Sequence, residues 1–254
     1  GRFSLTSSPQ ELAKLFGISQ IDDFPPRYNI APTQPILMLN VGPTNELVAP
    51  LVRWGLMPPW VKDPADFTLL VNARSETATQ KPSFKNAMRH KRSLIPASGF
   101  YEWFRPENAK QGEKKQAYWI RPKNGGIVCF GGLMETWAGA DGSEIDTGCI
   151  LTTNANKTIS PIHHRMPVII EPKDFERWLD CKTQEPRDIL DLMQPAREDL
   201  FEAIAVSDLV NKVSNATPKT QEPISEEERL ALLKNNAKQE NTKKSSQDDQ
   251  FDLF

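Results

Sequence analysis

Residues 149–170 read CILTTNANKTISPIHHRMPVII. The run Cys149, Ile150, Leu151, Thr152, Thr153 has the composition of a buried strand, and Val168, Ile169, Ile170 form a second apolar run. Between them lies a polar loop ending in His163, His164, Arg165 and Pro167. The chain has three histidines, and two of them stand in this loop. Imidazole is the side chain whose proton moves most easily near neutral pH. A His–Arg pair at the mouth of strands suits proton transfer beside an anion, although taken alone it reads equally as a polar turn.

Working outward, short apolar runs recur at 35–39, 47–54, 69–71, 93–96, 117–120 and 126–130, separated by proline, glycine and polar residues. Short strands with turn signals between them predict an α+β fold with a mainly antiparallel core. Helices are expected at 81–89, 173–180, 186–192 and 198–203. The clearest helix start is Ser8-Pro9-Gln10-Glu11, where Ser8 caps and Glu11 completes a capping box. Leu12, Leu15 and Phe16 then share one face, and Gly17 ends the helix. Ser225-Glu226-Glu227-Glu228 opens a last helical pattern through Leu230, Leu232 and Leu233. Residues 234–250 are almost free of apolar side chains and read as a flexible tail, so a single domain is expected over 1–233.

The 254 residues are 38% apolar, enough for a sizeable core. No apolar run approaches the roughly 20 residues of a membrane span, and the opening GRFSLTSSP does not read as a secretory signal. Cys129, Cys149 and Cys181 have neither metal-site spacing nor an even count, and Cys129 and Cys149 lie in apolar runs and read as reduced core residues, so a cytoplasmic protein is expected; a monomer is expected as well. The net charge of -2 hides a division: residues 221–254 carry five Lys/Arg against eight Asp/Glu. Composition thus gives no basic signature of a nucleic-acid binder.

Three further segments place polar groups among apolar ones. Arg2 follows Gly1 at the N-terminus. Asn72, Arg74 and Glu76 alternate beyond an apolar run. Glu102 stands between Tyr101 and Trp103. A carboxylate among aromatics is poorly hydrated, which raises its pKa and suits acid–base work. A strand with Glu102 turned to solvent fits the same spacing.

Seven motifs in order carry a family resemblance: GRF at 1–3, RYNIAPTQ at 27–34, RWGLMPPW at 53–60, NARSET at 72–77, PASGFYEW at 96–103, HHRMP at 163–167 and VSDLVNKVSN at 206–215. Together they resemble the SRAP (SOS response-associated peptidase) family. The resemblance implies a protein that attaches reversibly to abasic sites in single-stranded DNA through an N-terminal cysteine, whose amine and thiol close a thiazolidine ring on the sugar aldehyde. It implies Asn72, Glu102 and His163 as catalytic residues: Asn72 orients the amine, Glu102 shuttles protons and His163 assists ring opening and reversal. It also implies Arg2, Asn29, Pro32, Trp60, Arg74 and Arg165 along the DNA, the arginines on phosphates and Pro32 and Trp60 against bases. No cofactor and no metal are implied.

Two positions depart from the family. The motif there is Cys-Gly-Arg-Phe, whereas this sequence opens at Gly1, so a Met-Cys pair is expected before it. The family has Asp or Asn where His164 stands. The same residues fit a thiol autopeptidase that removes its own leader, and a non-covalent module for damaged DNA remains a third reading. A metal hydrolase is disfavoured because adjacent His163 and His164 lack the i, i+4 spacing of a helical pair. The last five residues, Gln250, Phe251, Asp252, Leu253 and Phe254, resemble the peptide by which bacterial proteins bind the sliding clamp. Leu253 and Phe254 would fill an apolar pocket, with Gln250 supplying directional hydrogen bonds.

Overall fold

A computed structural model describes residues 1–104, 115–228 and 230–231. The expected tail and its clamp-like motif at 250–254 lie outside the described residues.

The fold is α+β, as expected, and is built on two mainly antiparallel sheets. In the first, the spatial order of strands is Phe201–Val206, Gln116–Pro122, Gly99–Phe104, Arg2–Leu5 and Arg27–Ile30. In the second it is Ile169–Ile170, Val128–Ala138, Glu144–Asn154, Leu51–Trp54 and Pro35–Leu37. The strands Asn72–Arg74 and Arg165–Pro167 also pair with Glu144–Asn154, and Arg92–Ala97 pairs with Val128–Ala138. The inner faces share one apolar core. Phe3, Trp54, Phe100 and Phe130 meet there edge to face, with centroids 5.2 Å apart for Phe3 and Trp54 and 6.1 Å for Phe100 and Phe130. This geometry suits the aromatic quadrupole.

The N-terminal helix forms over Pro9–Phe16 with its capping box in place, and Gly17 closes it at φ 65°, the left-handed conformation that a Cβ disfavours. The capping box at Ser225 forms too: its hydroxyl accepts the Glu228 N–H and the Glu228 carboxylate accepts the Ser225 N–H. The helix expected at 81–89 spans Pro82–His90. That at 173–180 is a 3-10 turn, Pro172–Asp174, followed by the α-helix Phe175–Leu179. That at 186–192 is wholly 3-10, Pro186–Met193.

The helix expected at 198–203 is overturned. Phe201–Val206 is a strand that ladders with Gln116–Pro122 over six residue pairs. Glu202 and Ala203 favour a helix in isolation, but a partner strand with open hydrogen bonds outweighs that preference. The apolar run at 69–71 likewise ends before its strand, which is Asn72–Arg74. Cys129 and Cys149 are buried and unpaired, and burial pushes both thiols upward.

A buried cation ties one end of the core together. Arg92 is 1% exposed. Its guanidinium donates to the carbonyls of Met88, Trp178, Asp180 and Gln184 at 2.7–3.0 Å and lies 5.8 Å over the Trp178 ring. It thereby joins the Pro82–His90 helix, the Phe175–Leu179 helix and the segment beyond them.

Candidate active site

Each functional side chain owes its place to strand register. Arg2 pairs with Tyr101, which sets Gly1 beside Glu102 on the neighbouring strand. Asn72 and Arg74 pair in parallel with Ile150 and Thr152. Asn154 pairs with Arg165, so residues 155–164 form the loop of a hairpin that returns His163 to the same edge. The indole N–H of Trp54 donates to the Val71 carbonyl at 2.9 Å and steadies the residue before Asn72.

Gly1, Asn72, Glu102 and His163 consequently line one cavity of about 240 Å³. Its floor is apolar, made by Phe3, Trp54, Phe100, Phe130, Ile150 and Met166, and its rim carries Arg2, Arg74 and Arg165. Of the positions read from sequence, Asn72, Glu102, His163, Arg2, Arg74 and Arg165 are thus brought together, and Asn29, Pro32 and Trp60 are not on the lining. Trp60 is 58% exposed with its ring edge-on to Phe67, open to a stacking partner. Pro32 is half-buried in the loop after Arg27–Ile30.

Glu102 and His163 are near neighbours, with Oε1 3.8 Å from Nδ1. Burial raises the Glu102 carboxyl above its ordinary 4.5, opposed by the charge of His163 and by the N-terminal amine. Burial lowers the Gly1 amine below its ordinary 8.0, with Glu102 pulling the other way. Burial thus disfavours charge at this spot, and a carboxyl shifted in this direction suits acid–base work. The His163 ring is held by the Arg165 backbone: Nδ1 lies 3.0 Å from the Arg165 carbonyl oxygen, to which it donates when protonated, and 3.2 Å from the Arg165 amide nitrogen, from which it accepts in the other tautomer. His164 is exposed, its ring centroid 4.6 Å from that of His163.

Two expected DNA contacts turn inward. Asn29 is 3% exposed. Its amide donates to the carbonyls of Val210, Lys212 and Asn215 and its oxygen accepts from Arg2. Arg2 also donates to the carbonyls of Val210 and Asn211. Together they bind the segment 208–215 over the N-terminal strand, a role that only the fold reveals. Arg74, in contrast, is exposed, and among the described residues its guanidinium makes no hydrogen bond. Glu76, singled out by spacing but given no role, pairs with Arg165.

The model of the SOS response associated peptidase (SRAP) family matches residues 1–213. Among curated proteins, the abasic site processing protein YoqW of Bacillus subtilis (strain 168) is 39% identical over 222 residues, which is 86% of this chain and 96% of that one. The abasic site processing protein HMCES of Gallus gallus is 32% identical over 78% of this chain and 66% of its own length. Among solved structures, a protein from Bacteroides thetaiotaomicron superposes with a TM-score of 0.76 at 25% identity, covering 88% of this chain and 99% of that one.

Proposed function

The chain belongs to the SOS response associated peptidase family, and from that premise we propose that it processes abasic sites in single-stranded DNA through a covalent bond made by a cysteine preceding Gly1. The observation that carries this reading is the convergence of Gly1, Asn72, Glu102 and His163 on one cavity. The names of its relatives supply the substrate.

The chemistry follows from the groups present. The amine of the preceding cysteine adds to C1 of the ring-opened sugar. Glu102, whose carboxyl burial pushes above its ordinary range, donates in its acid form to the departing hydroxyl, so one water leaves and an imine forms. The cysteine sulfur then adds to the imine carbon while its proton passes to nitrogen, closing a five-membered thiazolidine. His163, beside Glu102, assists opening of the sugar ring and the reverse reaction. Asn72, which lines the cavity together with Gly1, steadies the N-terminal residue. The clamp-like motif at 250–254 would tether the domain near replicating single strands.

The test is covalent capture. Protein carrying Cys before Gly1 gives an SDS-resistant adduct with single-stranded DNA containing an abasic site. The form starting at Gly1 binds that DNA without forming a thiazolidine. Binding without any adduct by the Cys-bearing form overturns the covalent reading in favour of a non-covalent module. A thiazolidine mass from the Gly1 form removes the cysteine from the scheme.

Arg74 is the phosphate contact this reading needs, because it is exposed and uncommitted at the cavity rim. Arg74→Glu therefore weakens binding to all single-stranded sequences alike. It also flattens the log–log salt dependence by roughly 0.7 per lost contact. Titrations at several salt concentrations check this; an unchanged slope takes Arg74 off the DNA path.

A further inference from the structure

Glu76 shares a segment with Asn72 and Arg74, yet the crosslinking scheme gives it no task. Its two carboxylate oxygens accept from both ends of the Arg165 fork, Oε1 from Nη1 at 2.6 Å and Oε2 from Nη2 at 2.8 Å. Nη1 also donates to Asn154 Oδ1 at 2.9 Å, and Nη2 to the Thr152 carbonyl at 2.5 Å. Each terminal nitrogen has two hydrogens, so all four are engaged within the chain. The Arg165 side chain is only 14% exposed. A bidentate, charge-assisted pair is the strong form of this interaction. It holds the Glu76 carboxyl below its ordinary value of 4.5, so the pair stays charged through the neutral range.

The fork therefore rivets three pieces together: the helix Ser75–Ala78 through Glu76, the end of Glu144–Asn154 through Thr152 and Asn154, and the start of Arg165–Pro167. Those two strand ends bracket the loop that carries His163. The backbone of Arg165 in turn holds the His163 ring through Nδ1. A phosphate would have to displace Glu76 to reach this guanidinium, whereas Arg74 is open to one.

We propose that Glu76 is a positioning residue for His163: it fixes the Arg165 fork, and the Arg165 backbone fixes the imidazole. The rate readout of this proposal rests on the crosslinking reading, but the orientation of the ring does not.

The experiment uses full-length protein with Cys before Gly1, compared with Glu76→Gln, Glu76→Asp, Arg165→Lys and the Glu76→Gln/Arg165→Lys double variant, with thermal melts as folding controls. Three quantities are read. The first is affinity for an oligonucleotide bearing a tetrahydrofuran abasic analogue, which has no aldehyde to react. The second is the single-turnover rate of crosslinking to a true abasic site. The third is the imidazole NMR spectrum of His163 without DNA. The expected result for Glu76→Gln is analogue affinity within about twofold of the parent and crosslinking roughly tenfold slower, the scale of a small misplacement of a reacting group. The His163 resonances move while those of His90 do not. Glu76→Asp, which keeps the charge at shorter reach, restores part of the rate, and the double variant is no slower than the worse single variant. Unmoved His163 resonances overturn the proposal. Tighter analogue binding at unchanged rate also overturns it, and would make Glu76 a screen over a phosphate-binding arginine. If the parent forms no adduct, the covalent reading fails, and the spectra still decide whether Glu76 positions the ring.

Discussion

Glu102→Gln slows covalent capture of abasic DNA by about two orders of magnitude, within the range expected for loss of one positioned acid–base group. Glutamine keeps the size and the hydrogen-bonding oxygen but has no proton to give when the hydroxyl leaves. The pH profile separates this from a packing defect. In the parent, capture declines as pH climbs past the raised pKa of Glu102, because the acid form is lost. In Glu102→Gln that limb is absent. The substitution acts on stability with the opposite sign. A carboxyl whose pKa is raised on folding contributes stability that is fully present below its ordinary 4.5 and lost as pH rises through the folded value. Glu102→Gln therefore melts higher than the parent on the alkaline side of that value and not at pH 4. Capture assays on denaturing gels and melts at both pH values check the two halves. A uniformly slower enzyme with an unchanged pH profile would take the acid role away from Glu102.

The second large effect is on folding. Arg92→Leu costs about 3–5 kcal/mol, comparable to breaking a buried ion pair, because four carbonyls lose their donor together. At 2–4 °C per kcal/mol for a domain of this size, the melting temperature falls by roughly 10 °C. Among the described residues no carboxylate lies within ion-pair distance of Arg92; carbonyl dipoles and the Trp178 face surround the charge, and Asp180 and Glu185 attract it from further off. Burial pulls its pKa below its ordinary value. Arg92→Lys keeps a charge but cannot span the four carbonyls, and falls between the two. Calorimetry of the three proteins measures this; equal stability of parent and leucine variant would mean the carbonyls find other partners.

Much of the cavity was readable in sequence because its residues are of the wrong polarity for their surroundings. Glu102 between aromatics and His163 between apolar runs each announce a cost that burial alone does not repay. The strands were readable where apolar residues cluster, as at Val128 and Cys129, but that strand runs on to Ala138, past Gly132 and Glu135, which hold their places by pairing with Glu144–Asn154. The strand Phe201–Val206 was misread because its identity comes from Gln116–Pro122, some 80 residues earlier. Long-range partners also decide the fates of Asn29 and Arg165. Asn29 looks like a surface polar residue until the segment 208–215 closes over it. The Glu76–Arg165 pair spans 89 residues, so no local pattern announces it.

The N-terminal strand Arg2–Leu5 lies between Gly99–Phe104 and Arg27–Ile30, held on both edges rather than at the margin of its sheet. That placement has a mechanical meaning. Tension applied at Gly1 along the strand loads both ladders in shear, so the hydrogen bonds on either side share the force instead of opening one at a time. The Arg2 side chain, bonded to Asn29 and to the carbonyls of Val210 and Asn211, adds a lateral stay close to the point of load. On the covalent reading proposed above, an N-terminus anchored in this way carries the pull of an attached DNA strand into both ladders while the rest of the domain keeps its shape.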